Sequence, residues 1–424
     1  MNCRSLAYVV FAACLAVPCA SLGQTALGGN VQKADTLPRI PAPSGPFGIG
    51  RIGYDWTDPS RRDDYSTDPK AHRELMVYFW YPTSERIADP RGPYFPGAQQ
   101  MDIVPEIQSR MRRAFGGNWP SIVSETIFSH AVGHAPVAKR PRQFPVIIFS
   151  HGAGSTGFNY TCLIEDLVSR GYVVAAIEHT YAAKAVWFPD GRVIPLHDDS
   201  PPAGLSPAER SKWMGARITA GINEGAADVR FVLDRLTKMN GDTQRFPLAG
   251  RVDLNRAAAM GHSAGAEFAA RACQLDARFK ACIDLDGGMV PVAALPLSSD
   301  GATMKQPLLF LEAYHPESQM GGLSHATIAQ YYKTKEEQLQ SCPRGTYAVV
   351  LQSAGIAHPS FSDIPLLFAG QNEWPEIPVV LHNLDLIERF VREFAGKTLK
   401  HEKAPLLDGG AAPVPEATVE RYGH

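Results

Sequence analysis

Six short apolar runs, at residues 146–149, 173–177, 257–260, 281–285, 308–311 and 347–351, recur along the chain with helical stretches between most of them. This alternation constrains the fold more than any other feature. Runs of four or five apolar residues without polar alternation suit strands covered on both faces, the situation of a parallel sheet. Parallel neighbours need crossover connections, and the intervening helical patterns supply them. The clearest pattern places Ile222, Ala226, Val229, Val232, Leu233, Leu236 and Met239 at i, i+3 and i+4 spacing and stops near Asn240-Gly241. A second covers residues 379–395 and stops at Gly396. Residues 48–54 and 75–81, rich in aromatic and β-branched types, read as an antiparallel pair ahead of the parallel strands. The expectation is one α/β domain at 47–396, a mostly parallel central sheet flanked by helices, with functional loops at the C-terminal ends of the strands. Two cap-like insertions, at about 92–140 and 181–212, frame those loops.

The flanks differ in composition. Residues 1–23 carry Arg4, an apolar run at 6–17 and small residues around Ala20, Ser21 and Gly23, which predicts a cleavable signal peptide and an exported protein, periplasmic or secreted. Gly, Pro and Ala mark residues 24–46 as a flexible lead-in and 397–424 as a loose tail. A net charge of -2 shows no basic excess, so nucleic acid is not an expected partner. No oligomeric state follows from the sequence. Of seven cysteines, Cys3, Cys14 and Cys19 fall in the signal segment. Cys162, Cys273, Cys282 and Cys342 remain, either as buried free thiols or as two disulfides in one of three pairings.

Chemistry enters at Gly261-His262-Ser263-Ala264-Gly265, which joins a buried-strand pattern to a helical one at 264–275. In such an elbow the glycines permit a sharp strand-to-helix turn and leave the serine exposed at a helix N-terminus, a nucleophile's position. A serine nucleophile needs a base, an acid to orient that base, and donors for the oxyanion, in the chain order Ser, acid, His. His358 follows the last strand, where that order requires the base; His325, His382, His401 and His424 fall in helical patterns or the tail. Asp286 and Glu312 both end strands, and pattern alone does not separate them as the acid. Ser150-His151-Gly152-Ala153-Gly154 follows the strand at 146–149 as an oxyanion-loop segment, so the backbone amides of Ala153 and Ala264 are the candidate donors.

Two weaker signals are the pair His130 and His134, which lacks a third ligand and so predicts no metal site, and a basic amphipathic stretch at 103–115. The latter suits a cap helix packed on its own domain, or peripheral contact with a lipid surface.

Phe149-Ser150-His151-Gly152-Ala153-Gly154, Ile177-Glu178-His179, Gly261-His262-Ser263, the segment from Leu285-Asp286-Gly287-Gly288 to Pro291, and His358-Pro359-Ser360-Phe361-Ser362-Asp363 occur in the order and spacing of one family. Together they resemble the plasma-type platelet-activating-factor acetylhydrolases (lipoprotein-associated phospholipase A2) and their bacterial relatives, in the α/β-hydrolase superfamily. The resemblance spans about 47–396. It implies Ser263 as nucleophile, Asp286 as acid, His358 as base and the Ala153 and Ala264 amides as oxyanion hole. It further implies hydrolysis of short or oxidised acyl esters of small molecules or phospholipids, with no cofactor. Ala264 and Gly288 depart from it by replacing a Phe and a Trp, which removes aromatic bulk near the acyl pocket. A general carboxylesterase or polyester or dienelactone-type hydrolase with the same triad is the alternative. A non-catalytic hydrolase-fold binding protein would have been free to lose members of a set that is intact here.

Overall fold

The computed structural model describes residues 39–84, 92–102, 104–105, 108–109, 127–242, 246–287, 303–316, 324–369 and 374–423. The expected signal segment and the amphipathic stretch, apart from Val104, Pro105, Gln108 and Ser109, lie outside them, as does Gly288. Among the described residues no helix is long and apolar enough to cross a membrane.

The apolar runs form one sheet. Its strands in chain order are β1 (Gly48–Arg62), β2 (His72–Thr83), β3 (Ala131–Gly133), β4 (Phe144–Ser150), β5 (Val173–Glu178), β6 (Val252–His262), β7 (Phe279–Leu285), β8 (Leu308–Ala313), β9 (Thr346–Leu351) and β10 (Ala417–Tyr422). They lie in the spatial order β10-β9-β8-β7-β6-β4-β5-β2-β1-β3. From β9 across to β5 every pairing is parallel, whereas β2 joins β5, and β1 joins β2, antiparallel. The sheet is an α/β-hydrolase sheet.

Helices cover both faces. On one side α1 (Thr161–Ser169) and α5 (Ile377–Ala395) bring Leu163, Ile164, Leu167, Ile387, Phe390 and Phe394 onto Phe149, Val174, Leu309 and Val349. On the other, α2 (Pro207–Met239) and α3 (Ala264–Leu275) pack Val229, Val232, Leu236 and Phe268 against Ile148, Ala175 and Ala259. Each fully buried side chain of this size contributes about 1.5 to 3 kcal/mol. A fifth helix, α4 (His325–Gln340), follows β8.

Three expectations need correction. The tail is not loose throughout: after its Pro- and Ala-rich stretch, Ala417–Tyr422 pairs antiparallel with β9 and closes that edge. The end of the lead-in is also held, with Ile40 buried and the Gly45 and Phe47 amides bonded to Ser169 Oγ and O at the end of α1. The second insertion does not reach residue 212, because Ser206 and Glu209 form a capping box that starts α2 at Pro207. His130 and His134 flank β3, and His130 is bonded to Glu165. The four remaining cysteines are free, buried thiols.

The described parts of the two insertions meet in a third apolar cluster. Tyr94, Ala98 and Ile127 of the first join Ala185 and Val193 of the second, with Leu366, Leu367 and Leu384 from beyond the last loop. Tyr94 donates from its hydroxyl to Asp363 Oδ2 (3.0 Å), tying the first insertion to the segment that carries His358.

Candidate active site

The sheet register places the loops. Gly261 of β6 pairs with Ser150 of β4, and His262 pairs with Leu285 of β7. The turns leaving these three strands therefore converge where the chain order reverses, between β4 and β6, which is where open α/β sheets bind ligands. The elbow is as tight as its glycines suggest. A Cβ on Gly261 would stand 2.1 Å from Gly265 O, and one on Gly265 would stand 2.2 Å from Ser150 O. Ser263 takes φ 55° and ψ −125° at the N-cap of α3, a backbone conformation that costs on the order of 1–3 kcal/mol in a non-glycine residue.

His358 lies in the loop after β9, with its Nδ1 2.6 Å from Asp286 Oδ2 and its Nε2 3.0 Å from Ser263 Oγ. An ionised carboxylate only accepts, so Nδ1 carries the hydrogen and Nε2 is left to accept from the serine hydroxyl. Asp286 is fully buried, and its backbone also takes a positive φ, 51°. Burial alone would raise its carboxyl; hydrogen bonds from His315 and His358 instead hold it well below the usual carboxylate range. Glu312, the other strand-end candidate, is ion-paired with Lys335 of α4.

The oxyanion segment is fixed by neighbouring histidines. His151 donates from Nδ1 to Gly152 O (2.8 Å), and its Nε2 accepts from the His179 amide (3.2 Å). The Gly152 carbonyl also accepts from the Ser155 amide (3.0 Å). Pinning that carbonyl turns the trans-opposed N–H of Ala153 the other way. Among the described residues neither the Ala153 nor the Ala264 amide has a backbone acceptor. Tyr160 accepts from the Gly152 amide (3.0 Å) and donates to His262 Nδ1 (2.8 Å), and His262 Nε2 donates to His358 O (3.1 Å). One bonded chain thus links the oxyanion loop to the loop of His358. Burial holds His151 neutral, with a pKa pushed down to about 3.

Two arrangements went unseen in the sequence. His315 donates from Nε2 to Asp286 (3.0 Å to Oδ1, 3.2 Å to Oδ2), the same carboxylate that His358 uses. Its sole signal was a histidine two residues past a strand end. Beside the oxyanion loop a second chain runs from Ser150 Oγ to His179 Nε2 (2.9 Å) and from His179 Nδ1 to Asp228 Oδ2 (2.9 Å). Its signal was one aspartate, Asp228, next to the apolar stripe of α2. His262, Asp286 and His358 also bring ligand-type atoms within 4.8 Å of one another. Each of those atoms is already hydrogen-bonded, as above, so the cluster does not have the donor set of a metal site.

A sheet of this order, carrying an elbow serine, a buried aspartate and a histidine in that chain order, defines an ester hydrolase of α/β-hydrolase fold. The family described as platelet-activating factor acetylhydrolase, isoform II, matches residues 33–190 and 217–371, and the chain belongs to it. The platelet-activating factor acetylhydrolase of Cavia porcellus is 26% identical over 326 residues, covering 72% of this chain and 67% of that protein. A probable 1-alkyl-2-acetylglycerophosphocholine esterase of Arthroderma benhamiae is 25% identical over 406 residues, covering 89% and 92%. Among solved structures, a ferulic acid esterase from Streptomyces cinnamoneus superposes with a TM-score of 0.66 at 26% identity, covering 91% of this chain and 99% of that one.

Proposed function

We propose that this protein is an exported serine esterase that removes short or oxidised acyl groups from phospholipid-like esters through an acyl-enzyme on Ser263. The observation that carries the reading is the unbroken chain from Asp286 to His358 (2.6 Å) to Ser263 Oγ (3.0 Å). Ser263 Oγ attacks the ester carbonyl carbon while its proton passes to His358 Nε2; Asp286 holds the imidazole in the required tautomer and stabilises the imidazolium. The carbonyl oxygen, now an oxyanion, is met by the Ala153 and Ala264 amides, and each such donor is worth about 3–4 kcal/mol in the transition state. His358 returns the proton to the leaving alcohol, and water then releases the acid by the same route. No cofactor or metal enters these steps.

The acetylhydrolase relatives favour an acetylated glycerophospholipid as substrate, and the leader at 1–23 favours action after export. A general carboxylesterase is the second reading, favoured by the small Ala264 beside the serine and by the ferulic acid esterase among structural neighbours. A panel of esters varied in acyl length and alcohol decides between them. Highest kcat/KM on 2-acetyl and oxidised-acyl phospholipids supports the first; indifference to the phospholipid head group, with medium-chain or aromatic esters preferred, supports the second.

A further inference from the structure

We propose that His315 is a positioning residue for the acid of the triad, holding the Asp286 carboxylate for His358. The inference rests on the triad reading above. The segment leaving β8 wraps the carboxylate. Ala313 donates its amide to Asp286 Oδ1 (2.9 Å), Tyr314 anchors the bend by donating to Leu351 O (2.7 Å), and His315 turns back to place Nε2 on both carboxylate oxygens. With His358 on Oδ2, three donors surround a group that no solvent reaches. Their directions fix the plane of the carboxylate, and with it the orientation of the His358 ring.

The test measures kcat, KM and Tm on a soluble ester for the full chain and its His315→Gln and His315→Phe variants. The glutamine amide reaches as far as Nε2 and donates without ever carrying a proton's charge; phenylalanine does neither. His315→Phe lowers kcat about tenfold or more with KM little changed, and His315→Gln restores it to within about threefold of the parent. An unchanged kcat in His315→Phe, no recovery of kcat in His315→Gln, or losses in the two variants that follow Tm alone, overturns the proposal. Asp286→Asn run alongside separates this failure from that of the triad reading: if it retains activity, the triad reading itself falls, whereas an inactive Asp286→Asn beside a parent-like His315→Phe sinks only the role of His315.

Discussion

The molecule contains two serine–histidine–aspartate chains of nearly equal dimensions. In one, Ser263, His358 and Asp286 are joined at 3.0 and 2.6 Å; in the other, Ser150, His179 and Asp228 are joined at 2.9 and 2.9 Å. Everything around them differs. Ser150 ends a strand in ordinary extended structure and is fully buried, as are His179 and Asp228. Ser263 stands on a strained elbow at a helix N-terminus, partly exposed, beside amides that among the described residues have no backbone acceptor. The acids differ too. Burial would raise Asp228, but Arg73, which spans it through two bonds (3.2 and 2.7 Å), and the hydrogen bond from His179 hold it far below the usual range, and Arg61 reaches it at 2.8 Å. Those guanidiniums consume the charge that an imidazolium on His179 would need. Hydrogen-bond geometry alone does not separate the two arrays; access, candidate oxyanion donors and an acid not spanned by guanidiniums distinguish the one proposed to be catalytic.

The sharpest way to break this contrast is Ser263→Ala. It is expected to abolish labelling by a fluorophosphonate and to lower turnover by about 10⁶, as loss of a nucleophile does. Labelling that persists, or moves to Ser150, would reverse the roles given to the two chains. Next in size is Asp286→Asn, expected to cost about 10⁴ in kcat by favouring the wrong tautomer of His358. Glu312→Gln, which disturbs only the ion pair with Lys335, should cost far less. If the glutamine variant is the more damaged, the acid has been misassigned.

For the scaffolding chain the readout is stability. Asp228→Ala leaves Arg73 and Arg61 without their shared buried partner and is expected to lower unfolding free energy in urea by about 3–5 kcal/mol. A loss confined to activity, at unchanged stability, would make this chain functional instead. The same chain predicts acid sensitivity. His151 is held near 3 and His179 below its ordinary value, both by burial, so the folded state refuses protons that the unfolded chain accepts at about 6.5. Stability is then full above pH ~6.5 and falls as pH drops below it, by up to about 1.4 kcal/mol per unit for each histidine. A Tm that is flat between pH 7 and pH 5 would contradict the two neutral histidines. Smallest of all, Ser150→Ala removes one buried hydroxyl contact and should cost about 1 kcal/mol in stability while the variant keeps its phosphonate labelling.

The parallel strands and α3 were legible because doubly buried runs and an elbow motif are local signals; the helix expected at 264–275 is the helix found. Ser263 and His358 were legible for the same reason, since one sits in a motif and the other in the loop that the chain order demands. The acid was not legible from pattern. Asp286 and Glu312 both end adjacent strands, and what parts them is three-dimensional: the positive φ of Asp286 and the lysine on Glu312. His315, Arg73 and Asp228 escaped because their partners lie on other strands and helices. The strand at Ala417–Tyr422 escaped because it follows a Pro- and Ala-rich stretch and half of its residues are polar, as an edge strand allows.

That last strand also sets an order of events. β9 carries the chain directly into the loop of His358, and among the described residues its outer side is covered only by β10, which follows every other strand of the sheet in the chain. Until it arrives, β9 presents a bare row of amides and carbonyls to any passing strand. The growing chain therefore holds the segment that will seat its base in a sticky, unfinished state while every other strand of the sheet already exists. Ala417–Tyr422 thus acts as a latch on assembly, and anything fused or cut near residue 417 acts on the timing of folding before it acts on the ester chemistry.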